Sequence, residues 1–277
     1  MNPRLLAPQL PTWPERDQSG SVRSLRGIRQ GTQPAITIGS VTLGQGRLQS
    51  RIDAVESTGW TLIPADEVGE IHALLGAMGR TLPAGPEGSR YRDLQPYSRD
   101  RAPQNSMSAI TGTDAQPMHT DRAHTPHPPR YVALQCIDPG EGRCPTKVWA
   151  LNGPGLARER PPMLSSPQWV FHNRAGTQFY SPIMEVLNCR VRIRFDPLSI
   201  YPASFSRDSV ASAEACLRSF AKEDEATWER GALLLLDNWR CLHARSSGGG
   251  RAPSRRLRRW YIGDRDGLGE RAALQQV

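Results

Sequence analysis

The chain has almost no lysine. Of its 35 basic residues only Lys147 and Lys222 are lysines, and the other 33 are arginines. The formal charge is +8, which raises the question of nucleic acid. Yet the arginines are dispersed, apart from RAPSRRLRRW at 251–260, and no aromatic stripe interleaves them. That pattern argues for a solvated basic surface or an anionic small substrate, with no nucleic-acid partner expected. Long apolar runs are also missing. The longest, LLLL at 233–236, is far too short to cross a bilayer and reads as a buried strand, so no membrane partner is expected. MNPRLLAPQLPTWPERDQSG lacks the apolar core of a secretory signal. The five cysteines (136, 144, 189, 216 and 241) form no CxxC pair. This excludes the usual zinc-thiolate spacing and predicts reduced thiols in a cytoplasmic compartment.

Turn formers, in contrast, are plentiful, with 24 prolines and 25 glycines. Residues 1–32 have no sustained period and read as an irregular arm. Residues 33–277 show no internal repeat or linker and read as one domain, with a lid or insertion at about 152–230 whose Pro- and Gly-rich first part is 152–182. AITIGSVTLG (35–44) predicts a strand, a turn and a strand. GWTLIP predicts a strand, Asp66 a helix cap, and Val68, Ile71, Leu74, Leu75 and Met78 an amphipathic helix. His72 beside that apolar face reads as a packed or surface residue. Residues 83–105 read as loop, and YVALQCIDPG and KVWAL as strands. CRVRIRFDP alternates Arg190, Arg192 and Arg194 with apolar residues, predicting a half-exposed strand. Residues 209–229 have helical period, ending near Gly231. GALLLLDNWRCLHARS, with a turn near Asp237 and Asn238, and RRLRRWYIGD read as strands. Many short strands with few helices predict a mixed α+β, mainly β fold around a sandwich or barrel.

The chemistry centres on QPMHTDRAH at 116–124. On an extended chain residues i and i+2 share a side, so His119 and Asp121 present an imidazole and a carboxylate to one point. His243, at the end of a buried strand, can complete a two-His, one-carboxylate set, the arrangement that leaves open positions on non-haem Fe(II). Downstream, Arg255, Leu257 and Arg259 share one strand face, placing two guanidinium groups about an apolar residue. A buried guanidinium grips a carboxylate bidentately.

His119-Thr120-Asp121, PPRYVALQCIDPGEGRCPTKVW, LLLLDNWRCLHARS and RRLRRW together resemble the Fe(II)/2-oxoglutarate-dependent dioxygenases, in particular the taurine dioxygenase and clavaminate synthase-like branch. The resemblance runs from about Gly59 to Gly263. It implies a distorted double-stranded β-helix, the cupin-like jelly roll, with flanking helices. It implies Fe(II) held by His119, Asp121 and His243, with 2-oxoglutarate as co-substrate and O2 as oxidant. Arg255 would bind the distal carboxylate of 2-oxoglutarate together with Thr146, although Arg143-Cys144-Pro145 replaces the family's usual glycine-rich turn. Arg259 would support the co-substrate or reach the substrate. The implied reaction hydroxylates an aliphatic C–H of a small molecule, an amino-acid-derived or natural-product intermediate, and releases succinate and CO2. A homo-oligomer is compatible with all of this.

Asn105, Ser106, His172 and Arg194 are the candidate substrate contacts, the last set against a plain exposed charged face. His124 and His127 read as solvent-facing loop residues. Two other readings compete. A zinc-dependent hydrolase would use the same His/Asp cluster but gives the arginines and Thr146 no purpose. A non-catalytic basic binding protein would not need the triad at all.

Overall fold

The computed structural model describes residues 39–265, apart from 105, 143, 174–175, 188–189 and 248–253. The arm at 1–32 and positions 35–38 lie outside the described residues. Helix α1 spans Gly39–Thr58, followed by β1 (Trp60–Ile63), α2 (Ile71–Met78), β2 (Thr81–Leu82), β3 (Tyr91–Leu94) and α3 (Ser108–Thr111). Next come β4 (Tyr131–Asp138), β5 (Thr146–Leu151), α4 (Gly153–Glu159), α5 (Pro162–Ser165), β6 (Trp169–His172), β7 (Gln178–Ser181), β8 (Met184–Leu187) and β9 (Arg190–Ile193). The chain continues with β10 (Ile200–Pro202), α6 (Val210–Ser219), β11 (Ala221–Ala226), β12 (Leu233–Asp237), β13 (Cys241–Arg245) and β14 (Arg256–Ile262). The protein is mainly β, and every strand pair is antiparallel.

The largest sheet runs β1-β12-β4-β14-β2, with β3 also paired to β14. Its interior strand β12, between β1 and β4, explains the leucine run. Leu233 and Leu235 pack on one face with Ile52 and Val55 of α1 and Leu74, Leu75 and Met78 of α2. Leu234 and Leu236 pack on the other with Val148, Ala226 and Cys241 from the small sheet β11-β5-β13 and with Trp228 just beyond β11. A strand buried on both faces reads as a continuous apolar run, and each fully buried leucine contributes roughly 1.5–3 kcal/mol. The far face of the small sheet carries Trp149, Leu151, Leu242 and Ala244, covered by Leu156, Leu164, Trp169, Phe171, Ile193 and Leu217. The space between the two sheets therefore receives the alternate residues of β5, β13 and β14, and it is there that the site forms.

Several local expectations are corrected. Residues 39–44 begin a helix instead of a strand, because Ile52 and Val55 further along α1 are buried on the sheet and tertiary packing overrides the β-branched Val41 and Thr42. Asp66 caps no helix and sits in a 3-10 turn at Ala65–Glu67. The loop expected at 83–105 contains β3, held to β14. The helix expected to 229 stops at Ser219, and AKEDEA forms edge strand β11, whose Glu223 and Glu225 meet Lys147 of β5 at 2.8 and 3.8 Å. The leucine run and CLHAR are two strands in different sheets, split by the turn at 238–240.

The half-exposed strand at 190–195 is also corrected. Arg192 and Arg194 are 4% and 2% exposed. Arg192 donates to Glu185 Oε2 from Nε (2.8 Å) and Nη2 (2.6 Å), and Arg194 Nη2 lies 3.6 Å from the same oxygen. Burial pulls Arg194 down to about 10, still charged at neutral pH. One carboxylate thus balances two buried cations. Replacing it by the isosteric Glu185→Gln is expected to cost about 3 kcal/mol, as removal of one partner from a buried pair does. The check is the urea midpoint, and an unchanged midpoint would refute the pairing.

Among the described residues, Cys136, Cys144, Cys216 and Cys241 are free thiols, and no helix is long and apolar enough to cross a membrane.

Candidate metal centre

Segment 116–121 lies against β13. The His119 N–H donates to the His243 carbonyl at 3.1 Å, and the His243 N–H donates to the His119 carbonyl at 2.9 Å. Such a reciprocal pair sets both side chains on one side of the ladder, and the two rings sit 4.7 Å apart by centroid. Asp121, two residues on, reaches the same point, with Oδ1 4.0 Å from His119 Nε2 and Oδ2 3.9 Å from His243 Nε2. One donor atom from each residue lies within 4.8 Å of the others, and all three side chains are buried. Met118 turns the other way into the core.

The surroundings fix these groups. The His119 Nδ1–H donates to the Pro117 carbonyl at 2.9 Å, which leaves the Nε2 lone pair facing Asp121. Buried Asn238 clamps the Asp121 backbone in both directions. Its Oδ1 accepts from the Asp121 N–H (2.7 Å), and its Nδ2 donates to the Asp121 and Pro129 carbonyls (3.0 and 2.9 Å). Burial would raise the Asp121 carboxyl, but Arg259, His243, His119 and Arg122 together hold it below its ordinary value. Burial first, then His119, pulls His243 down to about 3. A carboxylate and a neutral imidazole are the deprotonated donors a metal requires. Two imidazoles and one carboxylate without thiolate fit a divalent ion with open positions, ferrous iron among them.

A pH dependence follows for the metal-free protein. His243 in the unfolded chain takes up its proton near the ordinary value of 6.5, but in the folded chain only near 3. Between these values the unfolded state binds more protons, so stability falls as pH drops through that window, by on the order of 1 kcal/mol per pH unit. Melting temperatures of the metal-free protein should fall from pH 6.5 downward, with a shallower slope in His243→Gln. Equal slopes in both proteins would contradict this assignment.

A cavity of about 450 Å³ opens beside the triad between the two sheets. Arg255 and Thr146 meet in its wall. Arg255 Nη1 donates to the Cys144 carbonyl at 2.8 Å and lies 3.3 Å from Thr146 Oγ1, which also accepts from Trp228 Nε1 at 3.2 Å. Cys144 and Pro145 therefore offer Arg255 backbone carbonyls beside the Thr146 hydroxyl. Gly140 holds this arrangement from outside. Its φ is +71°, and a Cβ there would stand 2.7 Å from the Arg255 backbone nitrogen. Only glycine allows both the left-handed turn and that approach.

Arg259 also lines the cavity, but its Nη1 donates to both Asp121 oxygens at 3.0 and 3.2 Å. Ser106 lines the cavity, whereas Asn105 lies outside the described residues. His172 and Arg194 do not line it. The His172 ring rests 5.5 Å from Tyr201, and Arg194 donates to the Thr125 and Pro126 carbonyls at 3.0 and 3.1 Å. His124, expected to face solvent, is half-buried on the cavity wall; His127 is exposed.

Other wall residues went unread in the sequence. Arg245 and Tyr261 each stand two positions beyond a site residue, His243 and Arg259, so the strand period that selected those residues would have placed them too. Arg245 Nη2 donates to the Gly112 and Asp114 carbonyls, both at 2.7 Å. Arg122 and Asp196 come from turns and carry no periodic signal.

Comparison with known proteins places this fold. No family model matches the chain, and no curated protein matches it in sequence. Solved structures do match. The asparagine oxygenase in complex with Fe(II), 2S,3S-3-hydroxyasparagine and succinate is similar over 80% of this chain and 79% of its own, at 16% identity and TM-score 0.60. The non-haem iron oxygenase OrfP in complex with Fe and alpha-ketoglutaric acid is similar over 79% and 80%, at 18% identity and TM-score 0.61. Further structures of OrfP contain L-Arg or its hydroxylated products. The chain has the fold of these non-haem iron oxygenases.

Proposed function

We propose that the protein is an Fe(II)- and 2-oxoglutarate-dependent oxygenase that hydroxylates a C–H bond of a small, amino-acid-like molecule, on a double-stranded β-helix formed by the two facing sheets. The observation that carries this reading is the convergence, in one cavity, of a His119/Asp121/His243 donor set and a buried Arg255–Thr146 anion grip. A zinc hydrolase would use the first and leave the second without a role.

Iron with 2-oxoglutarate and oxygen supplies the oxidising power, releasing succinate and CO2. The chain's own residues do the rest. His119, Asp121 and His243 would hold the metal at the cavity. Arg255 would orient the distal carboxylate of the co-substrate, with the Thr146 hydroxyl donating to it. Arg259 and Asn238 hold Asp121, from the side chain and the backbone respectively. Leu134 and Leu257 add apolar wall to the same cavity. Ser106, which lines the cavity, is the remaining candidate substrate contact.

The direct test is substrate-stimulated succinate formation from 2-oxoglutarate in the presence of Fe(II), ascorbate and O2, screened over amino acids and their derivatives. Oxygen and 2-oxoglutarate should disappear together. Iron bound at the triad with no 2-oxoglutarate turnover across the panel would refute the proposal.

A further inference from the structure

The cavity wall carries five arginines (92, 122, 245, 255 and 259) against three aspartates (93, 121 and 196), and no glutamate among the described residues. Each aspartate has hydrogen-bond partners, and only Asp196 lacks a cation beside it among the described residues. Asp121 belongs to the triad and Arg259. Asp93 takes Nε and Nη2 of Arg258 at 2.7 and 2.9 Å. Asp196 accepts from the Leu198 amide and the Ser199 hydroxyl at 3.0 and 2.6 Å. Among the arginines, Arg255 has its grip with Thr146, Arg259 has Asp121, and Arg245 is tied to two carbonyls.

Arg92 and Arg122 are left without a carboxylate partner among the described residues. Arg122 donates Nη2 to the Pro83 carbonyl at 2.6 Å, and its guanidinium carbon sits 4.4 Å from the Tyr261 ring centroid. Its φ of +58° is a left-handed conformation that long side chains rarely adopt. Arg92 is exposed on the cavity wall, and on β3 it stands directly opposite Arg259 of β14. Like charges in that position repel, unless an anion lies between them. The Arg259 Nε, close by, is buried with no hydrogen-bond partner.

We propose that Arg92 and Arg122 grip a carboxylate of the substrate, so that the enzyme oxidises a small acid without net positive charge and discriminates against cationic amino acids. This rests on the oxygenase reading above. Such a substrate differs in charge from the L-Arg present in a structure of OrfP. The wall offers two cations without a carboxylate partner to meet an acid, whereas its one aspartate without a cation, Asp196, already accepts from the Leu198 amide and the Ser199 hydroxyl.

The test compares L-glutamate, N-acetyl-L-glutamate, L-glutamine, L-lysine and L-arginine as stimulants of succinate formation by the iron-loaded enzyme. The acids should be used best, with kcat/KM at least about tenfold above the cationic probes. Arg122→Asn keeps a residue that tolerates the left-handed backbone, and Arg92→Gln alters an exposed side chain. Each should raise KM for the best acid, by about 10- to 100-fold for Arg122→Asn, the loss of a charge-assisted contact. KM for 2-oxoglutarate should stay within about twofold. Lysine or arginine as the best stimulant, silence of both acids, or unchanged KM in both variants would overturn the proposal. The wild-type enzyme's absorption with Fe(II) and 2-oxoglutarate separates the two readings. A band with silent acids sinks only the acid-substrate inference, and no band sinks the oxygenase reading beneath it.

Discussion

His119→Ala is expected to lose bound iron and to lower turnover by more than about 1000-fold, beyond the 10- to 100-fold that outer residues of a metal site typically control. Asp121→Ala should be equally inactive, but for two reasons that can be separated. It removes a ligand, and it strips the mostly buried Arg259 of the carboxylate it pairs with. Leaving a buried cation unpaired costs about 3–5 kcal/mol, a penalty that His119→Ala does not incur. Metal content together with urea midpoints resolves this. Both variants should be metal-poor, and only Asp121→Ala should unfold at clearly lower urea. Full iron occupancy in either variant would remove that residue from the site.

Arg255→Met should raise KM for 2-oxoglutarate by about 100-fold, because a bidentate guanidinium–carboxylate contact contributes up to ~3 kcal/mol. Arg255→Lys should recover little, since an ammonium cannot present two parallel donors. Folding should suffer less than binding. Arg255 is buried against Trp228, and burial has already lowered it to about 10, so an apolar side chain of similar volume relieves a desolvation cost. Titrating 2-oxoglutarate against succinate formation checks this. A KM unchanged in Arg255→Met would move the anion grip elsewhere on the wall.

The parts of this architecture that were legible in the sequence obey a local rule. The two-residue strand period put His119 beside Asp121 and Arg255 in line with Leu257 and Arg259, and the structure brings these side chains to one cavity. The LLLL run read as a buried strand because both of its faces are covered. What sequence could not supply depended on partners distant along the chain. Arg192 and Arg194 look like a solvated stripe until Glu185 on the neighbouring strand folds against them. AKEDEA continues a helical pattern by composition, and becomes a strand because its backbone pairs with β5 over its whole length, from Ala221 opposite Leu151 to Ala226 opposite Thr146. Asn238 was read as a turn residue. Its grip on the Asp121 backbone spans more than a hundred positions and follows from no spacing. His124 moved from loop to cavity wall because the turn at Arg122 folds that segment inward.

The most direct measurement is the visible absorption of the anaerobic protein with Fe(II) and 2-oxoglutarate. Iron held by His119, Asp121 and His243, with the co-substrate anchored at Arg255, predicts a weak metal-to-ligand charge-transfer band. It should need both additions, vanish in His119→Ala, and require more 2-oxoglutarate in Arg255→Met. Iron bound stoichiometrically with no such band at saturating 2-oxoglutarate would contradict the assignment and return the site to a metal-dependent hydrolase.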